Sequence, residues 1–190
     1  MTRSVADAAV MLNVIDFIDP ADSAMKGKRE KVDYTNFLIA DGLKGAKIGV
    51  ARDFWGRNAV VDAVTNAALE AMKKAGAVLI DVKFPNSSKF SDAEFLVLQY
   101  EFKDGLEKYL RTRGSKYKTL DDLIKFNNDN AAREMPHFKQ TIFESSAKKG
   151  ALTDKEYLDA LETCRKYSRE EGIDKVMNEN KLDVIVAPSN

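Results

Sequence analysis

Two of the residue types that most often carry chemistry are nearly missing from this sequence: its 190 residues hold one cysteine, Cys164, and one histidine, His137. A single thiol excludes an internal disulfide and suits a reducing compartment, so the chain is expected to be cytoplasmic. One histidine with one cysteine cannot build a zinc site of the usual nitrogen-and-sulfur kind, and neither a metal nor a cofactor is expected. The ten glycines include no adjacent pair and no Gly-x-Gly. That spacing excludes a phosphate-cradling loop, a dinucleotide fingerprint and a Gly-x-Ser-x-Gly nucleophile elbow. No apolar run approaches the ~20 residues that cross a bilayer. The N-terminal apolar stretch is broken by Asp7, Asn13, Asp16 and Asp19, unlike a signal peptide. Net charge is also missing, because 30 basic residues balance 30 acidic ones. No field recruits nucleic acid or anionic lipid, and neither is expected as a partner.

What is present is an ordinary globular composition, 44% hydrophobic and 32% charged. A helix is predicted over 4–18, opened by a Ser4–Asp7 capping box, with Val5, Ala8, Ala9, Leu12, Ile15 and Phe17 or Ile18 as its buried stripe and Asp19-Pro20 as its stop. A long loop follows, with Tyr34 and Phe37 as anchors. The segment 47–53 reads as a strand with Ile48 and Val50 on one face; 60–77 reads as a helix ending at Gly76, and 78–84 as a second strand. Strand, helix and strand in this order imply parallel pairing with a right-handed crossover. Helices are then predicted over 91–114 with a Ser91–Glu94 box, over 119–134 with a Thr119–Asp122 box, and over 153–180 with a Thr153–Glu156 box and a break at Gly172. "LDVIVAPS" supplies a last strand, 182–187, expected to be buried on both faces. The fold class is therefore α/β: a short, largely parallel sheet with flanking helices and a helical insertion over about 91–180. Residues 1–190 are expected to form a single domain.

No residue pattern assembles a catalytic constellation. His137 follows Pro136 near a predicted helix start and reads as solvated or structural, and Cys164 reads as a small core thiol with no neighbouring base. The acidic pairs Asp121-Asp122 and Glu170-Glu171 read as caps and solvated faces, because acid–base pairs need a shared cleft that spacing along a helix does not supply. The basic cluster "KGKREK" (26–31) is short and lacks interleaved aromatics. Ser87-Ser88 and Ser145-Ser146 read as turn and helix-cap residues.

Taken in order, however, the segments resemble a known family. "MTRSVADAAVMLNVID", "DYTNFLIADGLKGAKIGVARDFWG", "EFLVLQYEFKDGLEKYL", "TLDDLIKFNNDNAAREMPHF", "LTDKEYLDALETCRKYSREEGIDKVM" and "LDVIVAPS" together are similar to the amidase signature family of serine hydrolases. The resemblance covers essentially all 190 residues. It implies an incomplete amidase-signature fold, a partial amidase domain in which Met1 matches an internal methionine and the chain stops short of the family's end. It also implies hydrolysis of non-peptide carbon–nitrogen bonds by a serine nucleophile, a bridging serine in cis linkage and a lysine base. All of these lie upstream of the Met-Thr-Arg-Ser segment in the family, so no catalytic residue is assigned here and the substrate-binding residues stay unknown.

The chain alone is therefore expected to be non-catalytic, because loss of oxyanion donors alone costs about 10²–10³ in rate. Its apolar helix stripe and open sheet edge predict self-association, or association with the missing N-terminal half. Two other readings stay open: a non-catalytic module that binds a ligand or partner at the carboxyl ends of strands 47–53 and 78–84, and an enzyme of another class using His137 or acidic pairs.

Overall fold

The computed structural model describes residues 2–20, 22, 25 and 30–188. The first helix, α1, runs Val5–Ile15. Ser4 caps it as expected: its hydroxyl accepts the Asp7 N–H while the Asp7 carboxylate accepts the Ser4 N–H. The helix ends at Ile15, before Asp19-Pro20 is reached, and Phe17 and Ile18 lie outside it. Of its expected buried stripe only Ala9 is buried; Val5, Leu12 and Ile15 are exposed. The reason is that α1 packs chiefly on one short element, the 3-10 turn Tyr34–Phe37. Tyr34 anchors that turn by donating its hydroxyl to Asp16 and its N–H to Asn13 Oδ1 at 2.7 Å. Phe37, the other expected anchor, is exposed.

Three parallel strands form the sheet: β1 (Lys47–Ala51), β2 (Val78–Val82) and β3 (Val184–Val186), in the order β2-β1-β3. β1 pairs with β2 from Lys47↔Val78 to Ala51↔Val82, and with β3 from Ile48↔Val184 to Val50↔Val186. Each strand is shorter than expected. β1 gives way at Arg52 to a 3-10 turn, Arg52–Phe54. As the central strand, β1 buries Ile48, Gly49, Val50 and Ala51, so both of its faces are covered. A Cβ at Gly49 would lie 2.5 Å from Leu182 Cδ1, so a larger residue there has to displace the Leu182 side chain. β3 is not buried on both faces; it is an edge strand, and Val184 is exposed.

The crossover from β1 to β2 is α2 (Ala59–Lys74), capped by the Asn58 side chain. It closes in a Schellman turn: Ala77 N–H donates to Met72 O and Gly76 N–H to Lys73 O, with Gly76 at φ +95°. Between β2 and β3 stands the helical block: α3 (Ser91–Thr112), α4 (Leu120–Asp129), the single turn α5 (Ala131–Glu134), α6 (Thr141–Ala147), α7 (Lys155–Arg165) and α8 (Asp174–Asn180). A π-helical stretch, Lys166–Ile173, joins α7 to α8. Here α3 is the spine, packing on α4, α6 and α7. The Thr119–Asp122 box forms as expected. The Ser91–Glu94 and Thr153–Glu156 boxes do not, because the caps fall at Phe90 and Asp154.

Burial divides accordingly. One cluster, Ala51, Val82, Val176 and Leu182, lies against the sheet, while Leu110, Leu120, Tyr100, Tyr157 and Ala160 are buried within the helical block.

Candidate functional site

Parallel strands leave their carboxyl ends facing one side of the sheet, and in open α/β folds ligands enter there. The first residues beyond β1 make the 3-10 turn that brings in Phe54; the first beyond β2 bring in Phe84. Asp53 ties the two strand ends together by accepting the Phe84 N–H at 2.7 Å. The two rings lie 6.3 Å apart at 55°, within the range of favourable aromatic contact. After Phe84 the chain turns through 85–90, with Ser87 N–H donating to Phe84 O. Asn86 crosses to the π-helical stretch, donating to Glu171 O at 3.0 Å.

These segments enclose a cleft of about 410 Å³ at the carboxyl ends of all three strands. Phe54, Phe84 and Phe90 form one wall. Tyr167, Ile173 and Met177, from the π-helical stretch and α8, form the other, and Ile185 and Ala187 of the β3 end close the floor. The polar lining consists of Asn86, Ser87 and Ser168, and among the described residues no acidic, basic or histidine side chain takes part. The π-helical stretch owes its path to Gly172, whose φ and ψ of −113° and −113° leave the helical region. A Cβ there would sit 2.5 Å from the Tyr167 carbonyl oxygen.

The residues singled out in the sequence fall largely elsewhere. His137 is exposed in the connection between α5 and α6. Cys164 is half-buried on α7, and burial, with the Glu94 and Glu101 carboxylates beyond it, pushes its thiol pKa up, away from reactivity. Ser87 and Ser88 are turn residues as expected, and Ser87 reaches the cleft. Ser145 and Ser146 lie inside α6 rather than at a cap. Ser145 accepts from Gln99 Nε2 at 2.7 Å; Ser146 is fully buried with its hydroxyl unpartnered. Asp122 serves its capping box, and the Lys118 and Thr119 N–H groups hold its carboxyl below the usual range. Glu171 pairs with Lys166 on the surface at 3.6 Å. Residues 26–29 of the basic cluster lie outside the described residues. Among the described residues no group of three or more histidine, cysteine or carboxylate side chains could hold a metal.

A second cluster, between α3 and α7, was not legible in the sequence. Tyr100 donates to Glu156 at 2.7 Å, while Tyr157 donates to Glu101 at 2.8 Å. The two rings pack at 5.5 Å. Donation to Glu156, aided by burial, pushes the Tyr100 phenol up to about 12; burial and then Glu101 raise Tyr157. This reciprocal clasp joins helices and offers no open cleft.

A parallel α/β sheet with an apolar cleft at its carboxyl edge defines the structural class. The chain belongs to the amidase family, whose family model matches residues 1–190. Among curated relatives it is 30% identical over 194 aligned positions to a probable amidase of Arabidopsis thaliana, covering 97% of this chain and 36% of that protein. It is also 30% identical over 134 positions to a glutamyl-tRNA(Gln) amidotransferase subunit of Persephonella marina, covering 67% and 27%. The structure superimposes on the native peptide amidase of Stenotrophomonas maltophilia with a TM-score of 0.91 at 36% identity, over 100% of this chain and 39% of that one. An amidase family protein of Bacillus anthracis gives 0.81 at 28%, over 100% and 38%. The chain thus spans well under half the length of these relatives. Among the described residues no helix is long and apolar enough to cross a membrane.

Proposed function

We propose that these 190 residues are a segment of a cytoplasmic amidase that hydrolyses non-peptide carbon–nitrogen bonds, and that the segment alone does not turn over substrate. The observation that carries this reading is a family match across the whole chain, joined to a span of only 36–39% of the amidases it resembles. The segment supplies the sheet, its apolar cleft and the helical block; the nucleophile, its base and the oxyanion donors come from the remainder of the domain. The state of the local side chains agrees with that division. The Cys164 thiol is pushed up, His137 stands exposed away from the cleft, and the Ser168 hydroxyl is engaged with Cys164 O at 2.7 Å. The exposed apolar face of α1 is the surface against which the remainder of the domain packs.

Ammonia release from primary amides tests the reading. The purified chain is expected to release none, and to contribute to release once the N-terminal part of a related amidase is co-expressed with it. Release by the chain alone, abolished in Ser87→Ala or Ser168→Ala, would overturn the non-catalytic half of the proposal. Failure of every complemented pair would overturn the amidase half.

A further inference from the structure

The cleft is more selective than a gap between elements. At about 410 Å³ it falls within the range of small-molecule sites, and it gathers Phe54, Phe84, Tyr167 and Met177 from four separate segments. Among the described residues no charged side chain lines it, so a carboxylate or ammonium entering it would shed water without gaining a partner. Its polar groups sit together in the turn after β2 and at the π-helical stretch. Asn86 uses one side-chain N–H on Glu171 O, and Ser168 uses its hydroxyl hydrogen on Cys164 O. What remains on these two residues is the Asn86 Oδ1 and the Ser168 oxygen lone pairs as acceptors, with the second Asn86 N–H as a donor. An apolar chamber with uncharged acceptors and donors at one edge fits an uncharged molecule bearing an aromatic or branched apolar group beside a carboxamide, whose N–H donates and whose carbonyl accepts.

We infer that this cleft binds the apolar substituent of an uncharged amide, and that the wall formed by Tyr167, Gly172 and Met177 sets the size it accepts. The inference rests on the amidase reading for the choice of an amide. The binding site itself stands on the geometry, and its test reads binding rather than hydrolysis.

Saturation-transfer NMR on the 190-residue chain, with 2-phenylacetamide, phenylacetate and acetamide as probes, tests it. Phenylacetamide is expected to receive saturation and acetamide none, while phenylacetate binds about tenfold or more weakly because its charge loses hydration unpaired. Met177→Ala should shift preference from 2-phenylacetamide towards 2-naphthylacetamide, by about tenfold in the affinity ratio, as the vacated volume is refilled. If Met177→Ala no longer melts cooperatively, Met177→Val shortens the same wall side chain with less volume lost and is read with the same pair. Equal binding of phenylacetate, no binding of phenylacetamide, or an unchanged ratio in a variant with a cooperative melt would each overturn the inference. Displacement of the probe by the co-expressed remainder of the domain would also overturn it, by assigning the cleft to that segment, while leaving the amidase reading intact.

Discussion

At Tyr157 a single hydroxyl joins two helices: α7 carries the ring, α3 carries the Glu101 that accepts from it, and the partner bond runs back from Tyr100 to Glu156. Tyr157→Phe keeps the ring packing and removes one hydrogen bond from a buried residue, leaving Glu101 to find water. A loss of about 1 kcal/mol is expected, seen as a lower urea midpoint at unchanged slope. The same pair sets an alkaline limit. The folded Tyr100 pKa stands near 12 against the ordinary 10.0. A pKa raised on folding means that the unfolded chain loses its proton first as pH climbs. The stabilisation is therefore whole below about pH 10 and drains away towards pH 12. Urea midpoints measured across that interval should fall more steeply in the native chain than in Tyr100→Phe. Parallel slopes would remove the clasp from the account.

Among the elements, two glycines make opposite demands. Gly105 stands mid-helix in α3, where an added Cβ meets nothing within 4 Å, so Gly105→Ala should stabilise by about 0.5–1 kcal/mol. Gly172 holds the π-helical stretch open against the Tyr167 carbonyl, and Gly172→Ala should cost about 1–3 kcal/mol because backbone has to move. Chemical denaturation of both variants checks the contrast. The break at Gly172 was legible in the sequence because glycine interrupts a helical period; the strand at β1 and its parallel pairing with β2 were legible from equally local signals. Capping followed the sequence pattern only where nothing competed. Ser4 and Thr119 close their boxes, but Glu156 is drawn to the Tyr100 hydroxyl, and the turn before α3 runs on so that Phe90, not Ser91, becomes the cap. The cleft was legible only as a location. Its aromatic residues stand just past strand ends or one helix away, and long-range crossovers, which leave no periodic trace, bring them together.

For the whole molecule, the exposed face of α1 is the dominant surface feature. Val5 is 76% exposed, Val14 69% and Ile15 57%, so apolar side chains stand open on more than one side of a helix packed chiefly on one turn. Exposed apolar side chains gathered on one element mark interfaces. The chain in isolation is expected to elute from size exclusion as a dimer or larger, and Val14→Asp with Ile15→Asp to return it to a monomer with an unchanged melt. A monomeric parent chain would leave α1 without that role. The sheet carries a different consequence, one of timing. The Lys47 N–H bonds Asp183 across 136 positions, whereas the other edge of β1 is paired by the end of the short α2 crossover. During synthesis β1 and β2 meet early, and the entire helical block must then emerge before β3 arrives. Through that interval one side of the central strand has donors and acceptors with no neighbour, open to any other extended segment nearby. A slow codon within the helical block would lengthen that exposure.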